Sequence, residues 1–240
     1  MQIKRTRFTQ ADGLINKGPK GGSQRFYRDA LYSVLEHLKP KLCLEIGTYY
    51  GGSSAVFQEY FDKLCPEGKL VTCDVNKYTE LNMPNVEQVL VYPHMPKEDM
   101  DKWHQLDTNK MLPDAYSRER KHRLDSVTFN TDILKSYGKF DFCFLDGDHT
   151  SNSAFCDFEI AVISLKNPKW ILFDDVDEFD HECAEWFSNM KNINNISKNP
   201  LYNIYEFEDW DVQVGAALIW GNTDWNGMVY ENASIMNSLI

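Results

Sequence analysis

Short apolar runs alternate along the chain with segments in which apolar residues recur every three to four positions. Runs of four to six apolar residues are typical of buried strands, and the 3.6-residue period is typical of helices. The runs predict strands at 42–46, 69–75, 127–130, 140–145, 170–173, 202–207 and 212–220, and the periodic segments predict helices near 24–38, 53–64, 133–137, 152–165 and 180–190. This alternation predicts an α/β fold with a doubly wound, mostly parallel, seven-stranded sheet and a C-terminal antiparallel hairpin strand.

The segment 76–124 is the least regular part of the chain. It contains several prolines and the charged stretch DAYSRERKHR, and it is long for a crossover between two parallel strands. We therefore predict one domain over 1–240, with a flexible N-terminal segment at 1–23 and a partly helical insertion at 76–124 that is a candidate substrate lid. Within the insertion, 86–92 fits a strand or part of a helix equally well. Its histidines, His94, His104 and His122, could touch a substrate, but histidines in such positions are more commonly structural, and we assign them no role.

Composition and charge narrow the range of partners. Of 240 residues, 25 are Lys or Arg and 36 are Asp or Glu, so the net charge is −11. Such a surface repels phosphate backbones and anionic lipids, and we expect neither nucleic acid nor a membrane as a partner. A small-molecule substrate is expected, and a homo-oligomer is left open.

The cysteines and the chain start bear on the compartment. Six cysteines form no C-x-x-C pair, and three of them (Cys43, Cys73 and Cys143) lie in apolar runs, as buried thiols of a reducing compartment do. The N-terminus is basic but lacks a following apolar run, so it does not match a secretory signal. We expect a cytoplasmic protein.

Chemistry-bearing residues follow the predicted strands. Ligands of such sheets bind outside the carboxyl ends of the strands, and these ends carry 45–53, Asp74, 130–132, 146–149 and 174–175. The spacing G-x-x-x-G-G after the first strand differs from the dinucleotide-binding pattern. Glu45 beside it favours a cationic ligand over a pyrophosphate, and Asp74 is placed to accept ribose hydroxyls.

The acids after two neighbouring strands predict a metal site. Asp146, Asp174 and Asp175 would repel one another without a cation, and carboxylate ligands favour Mg²⁺ or another hard divalent cation. The alternative interpretation is that such acids cap the following helices, Asp148 and Asp175 among them.

Four segments together resemble a known family. LEIGTYYGGSS, TCD, FDFCFLDGDHT and WILFDDV resemble the class I S-adenosylmethionine (SAM)-dependent methyltransferases, and within them the metal-dependent small-molecule O-methyltransferases related to sugar methylases of antibiotic biosynthesis. The resemblance spans about 25–220 and implies a Rossmann-like fold with SAM and Mg²⁺ as cofactors. It implies that SAM is bound by Glu45, Gly47, Thr48, Tyr49, Gly51, Ser53, Asp74, Thr131, Asp132 and Asp146, with Thr131 or Asp132 beside the adenine. It also implies that Asp146, Asp174 and Asp175 hold the metal.

The expected reaction is methyl transfer from SAM to a hydroxyl of a small metabolite, a sugar or polyol. Asp148 is the first candidate for the base by family match, and His149 is the second because its pKa lies near neutrality. Two alternatives stand beside this hypothesis: a metal-dependent hydroxylase-type relative on the same fold, and a non-catalytic nucleoside-binding or assembly protein.

Overall fold

The computed structural model describes residues 1–6, 8, 26–76, 80–94, 115–176, 182–196, 202–207 and 216–221. Its helices and strands in chain order are α1 Phe26–Leu38, β1 Leu42–Ile46, α2 Gly52–Leu64, β2 Lys69–Asp74, β3 Val86–Leu90, α3 Ala115–Leu134, β4 Phe142–Leu145, α4 Ser151–Ser164, β5 Lys169–Asp174, α5 Glu182–Ile196, β6 Asn203–Glu206 and β7 Ala216–Gly221. None of these helices is long and apolar enough to cross a membrane.

The strands form one seven-stranded sheet in the order β3-β2-β1-β4-β5-β7-β6. The pairs from β3 to β5 are parallel, whereas β7 runs antiparallel to both β5 and β6. The predicted fold class, with its antiparallel C-terminal strand, is confirmed. The strand order reverses direction between β1 and β4, and open α/β sheets hold their ligands at such a switch point.

Helices cover both faces of the sheet. The apolar side chains of α1 and α2 pack on one face, and those of α3, α4 and α5 pack on the other. Alternate residues of β4 join the two cores, Phe142 and Phe144 on the first face and Cys143 and Leu145 on the second. Burial on both faces explains why this strand is a nearly continuous apolar run. All six cysteines are buried and free.

The predicted strand at 127–130 is wrong, because these residues lie inside α3. The buried positions of this stretch are spaced as on one face of a helix: Ser126, Val127, Asn130, Thr131 and Leu134. Three of the five are polar, so the helical period is invisible to a pattern of apolar residues alone. The short helix predicted at 133–137 is the end of α3 followed by a 3₁₀ turn at Lys135–Tyr137.

The segment 76–124 is not an insertion throughout. Val86–Leu90 forms β3, which pairs with β2 in the sheet, and 115–124 is the first half of α3. Residues 95–114 lie outside the described residues, as do residues 7 and 9–23 of the predicted flexible N-terminal segment. Residues 1–6 of that segment pack on α1, where Arg5 forms an ion pair with Asp29 at 3.1 Å and the Thr6 amide donates to the Ser33 hydroxyl at 2.8 Å.

Candidate active site

The loops after β1, β2 and β4 meet at the carboxyl edge of the sheet. The Gly47 amide donates to the Cys73 carbonyl at 2.9 Å, and the Asp146 amide donates to the Ile46 carbonyl at 2.9 Å. A Cβ on Gly47 would lie 1.7 Å from the Asp146 carbonyl oxygen. Only glycine permits this approach, and its φ of +102° is also one that other residues rarely adopt.

Glu45 is a buried carboxylic acid at the end of β1. Its Oε2 accepts hydrogen bonds from the hydroxyls of Ser54 and Thr72, both at 2.5 Å. Within the described part of the chain, its buried Oε1 has no hydrogen-bond partner. Burial raises the pKa of Glu45 to about 7, against the opposing effect of the hydrogen bonds from Ser54 and Thr72. A cation beside Oε1 would stabilise the ionised form.

Two of the predicted cofactor residues are buried behind this acid. Thr48 shares a 2.6 Å hydrogen bond with Thr72, which itself donates to Glu45. Ser53 is buried in the first turn of α2, beside Ser54, whose hydroxyl donates to Glu45. Thr48 therefore supports the Glu45 carboxylate through Thr72, and Ser53 lies next to a residue that contacts it.

The turn between β1 and α2 aims its backbone at Asp74. Tyr49 has a φ of +43°, a conformation that is uncommon for a bulky residue, and its amide donates to Asp74 Oδ2 at 2.8 Å. Gly51, with φ +79°, is the N-cap of α2. Asp74 also accepts from the Asn76 amide at 3.0 Å. Its two oxygens keep acceptor capacity for two further hydroxyl groups.

Asp146, Asp174 and Asp175 form one cluster. An oxygen from each lies within 4.8 Å of the others, and Oδ1 of Asp174 is buried without a hydrogen-bond partner among the described residues. Burial first, and the neighbouring carboxylates second, raise the pKa values of Asp146 and Asp174 well above the ordinary range. Asp175 adopts a left-handed φ of +57°, which Asp tolerates better than most residues. The donor set fits a hard divalent cation.

The two candidate bases differ in their surroundings. His149 Nδ1 lies 2.7 Å from Asp175 Oδ2, and this hydrogen bond is the main cause that raises the pKa of His149 to about 11. The protonated ring of His149 balances the charge of Asp175 in this arrangement. Asp148 is exposed, and its Oδ2 accepts from the hydroxyls of Thr150 at 3.0 Å and Ser153 at 2.9 Å. The N-cap of α4 is Thr150, so Asp148 does not fill the capping role that was its alternative.

The structure does not bring Thr131 and Asp132 to the end of a strand. Thr131 donates its hydroxyl to the carbonyl of Val127 in its own helix at 2.7 Å, and Asp132 pairs with Lys135 at 2.5 Å. Their placement beside the adenine rested on the strand at 127–130, which does not exist. The residue of this stretch that reaches the sheet edge is Asn130.

Several polar residues lie beside the loop after β3, and sequence reasoning gave no role to three of them, His94, Ser126 and Asp157. Asn130 accepts from the Tyr92 amide at 2.7 Å and donates to the Tyr92 carbonyl at 2.9 Å. His94 contacts Asp157 on α4 at 2.7 Å and Ser126 on α3 at 2.9 Å. The sequence carries one signal for Asp157, a carboxylate flanked by apolar residues in a buried helix.

The loop after β4, the first turns of α4 and the end of β5 line a small cleft of about 20 Å³, enough for one water molecule. Five carboxylic acids line it: Asp146, Asp148, Asp157, Asp174 and Asp175. A cleft of this composition attracts cations and suits a polar ligand that can coordinate one.

Comparison with known proteins agrees with this geometry. A family model described as a methyltransferase domain matches residues 44–176, more than half of the chain. The O-methyltransferase of Bacillus cereus, solved in complex with S-adenosylhomocysteine (SAH), is 15% identical, with 85% of this chain and 84% of that chain covered and a TM-score of 0.53. The cofactor-bound Rv0187 of MTB is 17% identical, with 85% and 83% covered and a TM-score of 0.52. No curated protein sequence matches the chain significantly.

The family match and the fold together define a methyltransferase with a Rossmann-like sheet. The chain belongs to the methyltransferase-domain family, and the matched residues run from β1 to just beyond β5. The resemblance of the four sequence segments to methyltransferases is thereby confirmed, as is the expectation of an enzyme.

Proposed function

We propose that the chain transfers a methyl group from SAM to a hydroxyl of a small metabolite, a sugar or polyol, with a divalent cation at the acid cluster. The observation that carries this proposal is the contact between the glycine turn after β1 and the acid-bearing loop after β4, with Gly47 against the Asp146 carbonyl. This contact would place a nucleoside and a cation side by side. The reducing cytoplasm, which suits six free thiols, is the compartment we propose.

The turn after β1 and Asp74 would hold SAM. Glu45 would attract the amino group of its methionine part, since Oε1 is a buried acceptor with no hydrogen-bond partner among the described residues. Gly47, Tyr49 and Gly51 would let the backbone approach the ligand, Thr48 would act through Thr72 and Glu45, and Ser53 would lie beside them at the start of α2. Asp74 would accept the ribose hydroxyls.

For the adenine we favour the loop after β3 over Thr131 and Asp132. Tyr92 and Phe129 are both exposed, and their rings meet edge to face with centroids 5.8 Å apart. Leu90, which pairs with Asp74 in the sheet, is also exposed. Such an apolar surface beside a ribose acceptor suits a purine face.

Asp146, Asp174 and Asp175 would hold the cation. When bound, a divalent cation lowers the pKa of a coordinated hydroxyl. Sugars and polyols suit such a site because adjacent hydroxyls can chelate a cation and be held for attack.

Asp148 would accept the proton of the acceptor hydroxyl. The hydroxyl oxygen forms a bond to the methyl carbon as the carbon–sulfur bond of SAM breaks, and SAH leaves as a neutral sulfide. The hydroxyls of Thr150 and Ser153 hold Asp148 Oδ2, which leaves Oδ1 for this role. His149 would keep its proton and balance the acids until a cation replaces that charge.

Calorimetric titration with SAH, with and without Mg²⁺, tests the binding part of the proposal. We expect wild-type protein to bind SAH, and we expect Asp146→Asn to lose Mg²⁺ binding while the exposed control Asp125→Asn retains it. Turnover is then followed as SAH release over a panel of sugars, polyols, catechols and amines. Absence of SAH binding contradicts the proposal. SAH binding with turnover only on amines contradicts the hydroxyl acceptor, and turnover independent of metal contradicts the cation.

A further inference from the structure

The loop after β3 is tied to the loop after β4 by a buried pair of side chains. His94 Nε2 lies 2.7 Å from Asp157 Oδ1, and both side chains are nearly buried, with 12% and 6% exposed. The other ring nitrogen of His94 contacts the buried Ser126 hydroxyl at 2.9 Å. His94 therefore joins the loop after β3 to both α3 and α4.

Asp157 in turn touches the loop that carries the proposed base. A Cβ on Gly147 would lie 2.3 Å from Asp157 Oδ2, so the carboxylate rests directly against the Gly147 backbone. Gly147 stands between Asp146 and Asp148. On its other side the same loop packs against Gly47 through the Asp146 carbonyl. The loop is thus held between the glycine turn and the Asp157 carboxylate.

The carboxylate can keep this position only if its charge is balanced. A buried carboxylate without a partner is unstable, and burial raises the pKa of Asp157 while His94 opposes this. The hydrogen bonds around Asp148, from Thr150 and Ser153, come from α4 as well. Movement of Asp157 would therefore disturb both the Gly147 backbone and its neighbours.

We propose that His94 is a positioning residue, which through Asp157 holds the Asp146–Gly147–Asp148 loop against the glycine turn after β1. The pair touches neither of the proposed reacting groups directly. Its role in methyl transfer rests on the proposed function, whereas its effect on the loop does not.

Four variants separate positioning from mere stability: His94→Ala, His94→Gln, Asp157→Asn and the double variant His94→Ala/Asp157→Asn. Gln can place an amide N–H near the position of Nε2, and Asn can still accept from it. The double variant removes the unpaired buried charge that His94→Ala leaves behind, so it should recover most of the lost thermal stability. It does not recover the link between the loops.

Two measurements are made on each variant. Hydrogen exchange of a peptide spanning 145–149, in ligand-free protein, reports the loop directly. We expect faster exchange in His94→Ala and in the double variant, and wild-type exchange in the other two. The dissociation constant for SAH should rise about tenfold in the same two variants and stay within about threefold in His94→Gln and Asp157→Asn, as expected for loss of a hydrogen bond to a charged group.

The outcomes distinguish the two proposals. If exchange and SAH affinity both return to wild-type values in the double variant along with its thermal midpoint, the pair serves stability alone and the inference is wrong. Unchanged loop exchange in His94→Ala refutes it as well. If wild-type protein does not bind SAH and the exchange differences are nevertheless found, the positioning of the loop stands and the proposed function falls.

Discussion

Replacement of Glu45 by Gln tests the electrostatics of the site, and the test requires no knowledge of the substrate that accepts the methyl group. The carboxyl is buried, and its pKa is about 7 in the folded protein against an ordinary value of 4.5. An acid whose folded pKa is raised leaves the protein stable at low pH and lowers its stability as the pH rises through that pKa. At about 1.36 kcal/mol for each pKa unit, the difference between the two pKa values corresponds to a loss of about 3 kcal/mol in the free energy of unfolding.

The Gln side chain keeps the shape and both hydroxyl hydrogen bonds but cannot ionise. Urea unfolding is measured between pH 5 and 8.5 for wild type, Glu45→Gln and the exposed control Glu185→Gln. We expect the free energy of unfolding of Glu45→Gln, relative to wild type, to rise by most of about 3 kcal/mol between pH 5 and 8 and then to level off. The control should show no such rise.

Two results would refute this reasoning. If the free energies of unfolding of Glu45→Gln and wild type differ by the same amount at every pH, Glu45 is ionised throughout and its pKa is not raised. The second concerns SAH, whose amino group should stabilise the ionised carboxylate. Saturating SAH should therefore make the free energy of unfolding of wild type fall less steeply with rising pH, and it should have no such effect on Glu45→Gln. An equal effect on both proteins would mean that Glu45 does not contact the ligand.

Three further predictions concern the acids and the glycines. Saturation with Mg²⁺ at about 100 times its dissociation constant should raise the unfolding free energy of wild type and Asp125→Asn by about 2.7 kcal/mol in thermal or urea unfolding. Asp174→Asn should show no such gain, and an equal gain would place the cation elsewhere. Asp148→Asn should lower kcat by a factor of about 10² to 10⁴ with SAH affinity unchanged, and retained turnover in steady-state assays would exclude it as the base. Gly47→Ala should destabilise the protein far more than Gly138→Ala. Both glycines have a positive φ, but an added Cβ on Gly47 would lie 1.7 Å from the Asp146 carbonyl oxygen, whereas an added Cβ on Gly138 would meet open space. Equal losses in urea unfolding would contradict the close contact.

The sheet was predictable wherever burial on its two faces produced continuous apolar runs. β1, β2, β4 and β5 all fall within a residue or two of their predicted positions. The sequence leaves β3 undecided, since Val86–Leu90 includes two polar residues and forms an edge of the sheet, where four of its side chains are half-buried and Leu90 is exposed. The helix α3 was partly mistaken for a strand because its buried face is built from Ser126, Asn130 and Thr131 as well as apolar residues.

The candidate site was predictable where it depends on strand ends alone. Parallel strands bring their carboxyl ends to one edge, and this places Glu45, Asp74, Asp146 and Asp174 together without further information. Contacts between side chains from distant segments do not follow from that rule. His94 and Asp157 are 63 residues apart and meet through the packing of a loop on α4, a relation that no local pattern contains.

The anchoring of His94 has an evolutionary consequence for the stretch that follows it. Residues 95–114 begin directly after a side chain fixed by α3 and α4, and they end where α3 starts. Changing the length of a connection between two fixed points alters its closure entropy only slowly. Insertions and deletions between these two points should therefore cost little stability and leave the sheet edge with Glu45 and Asp74 in place.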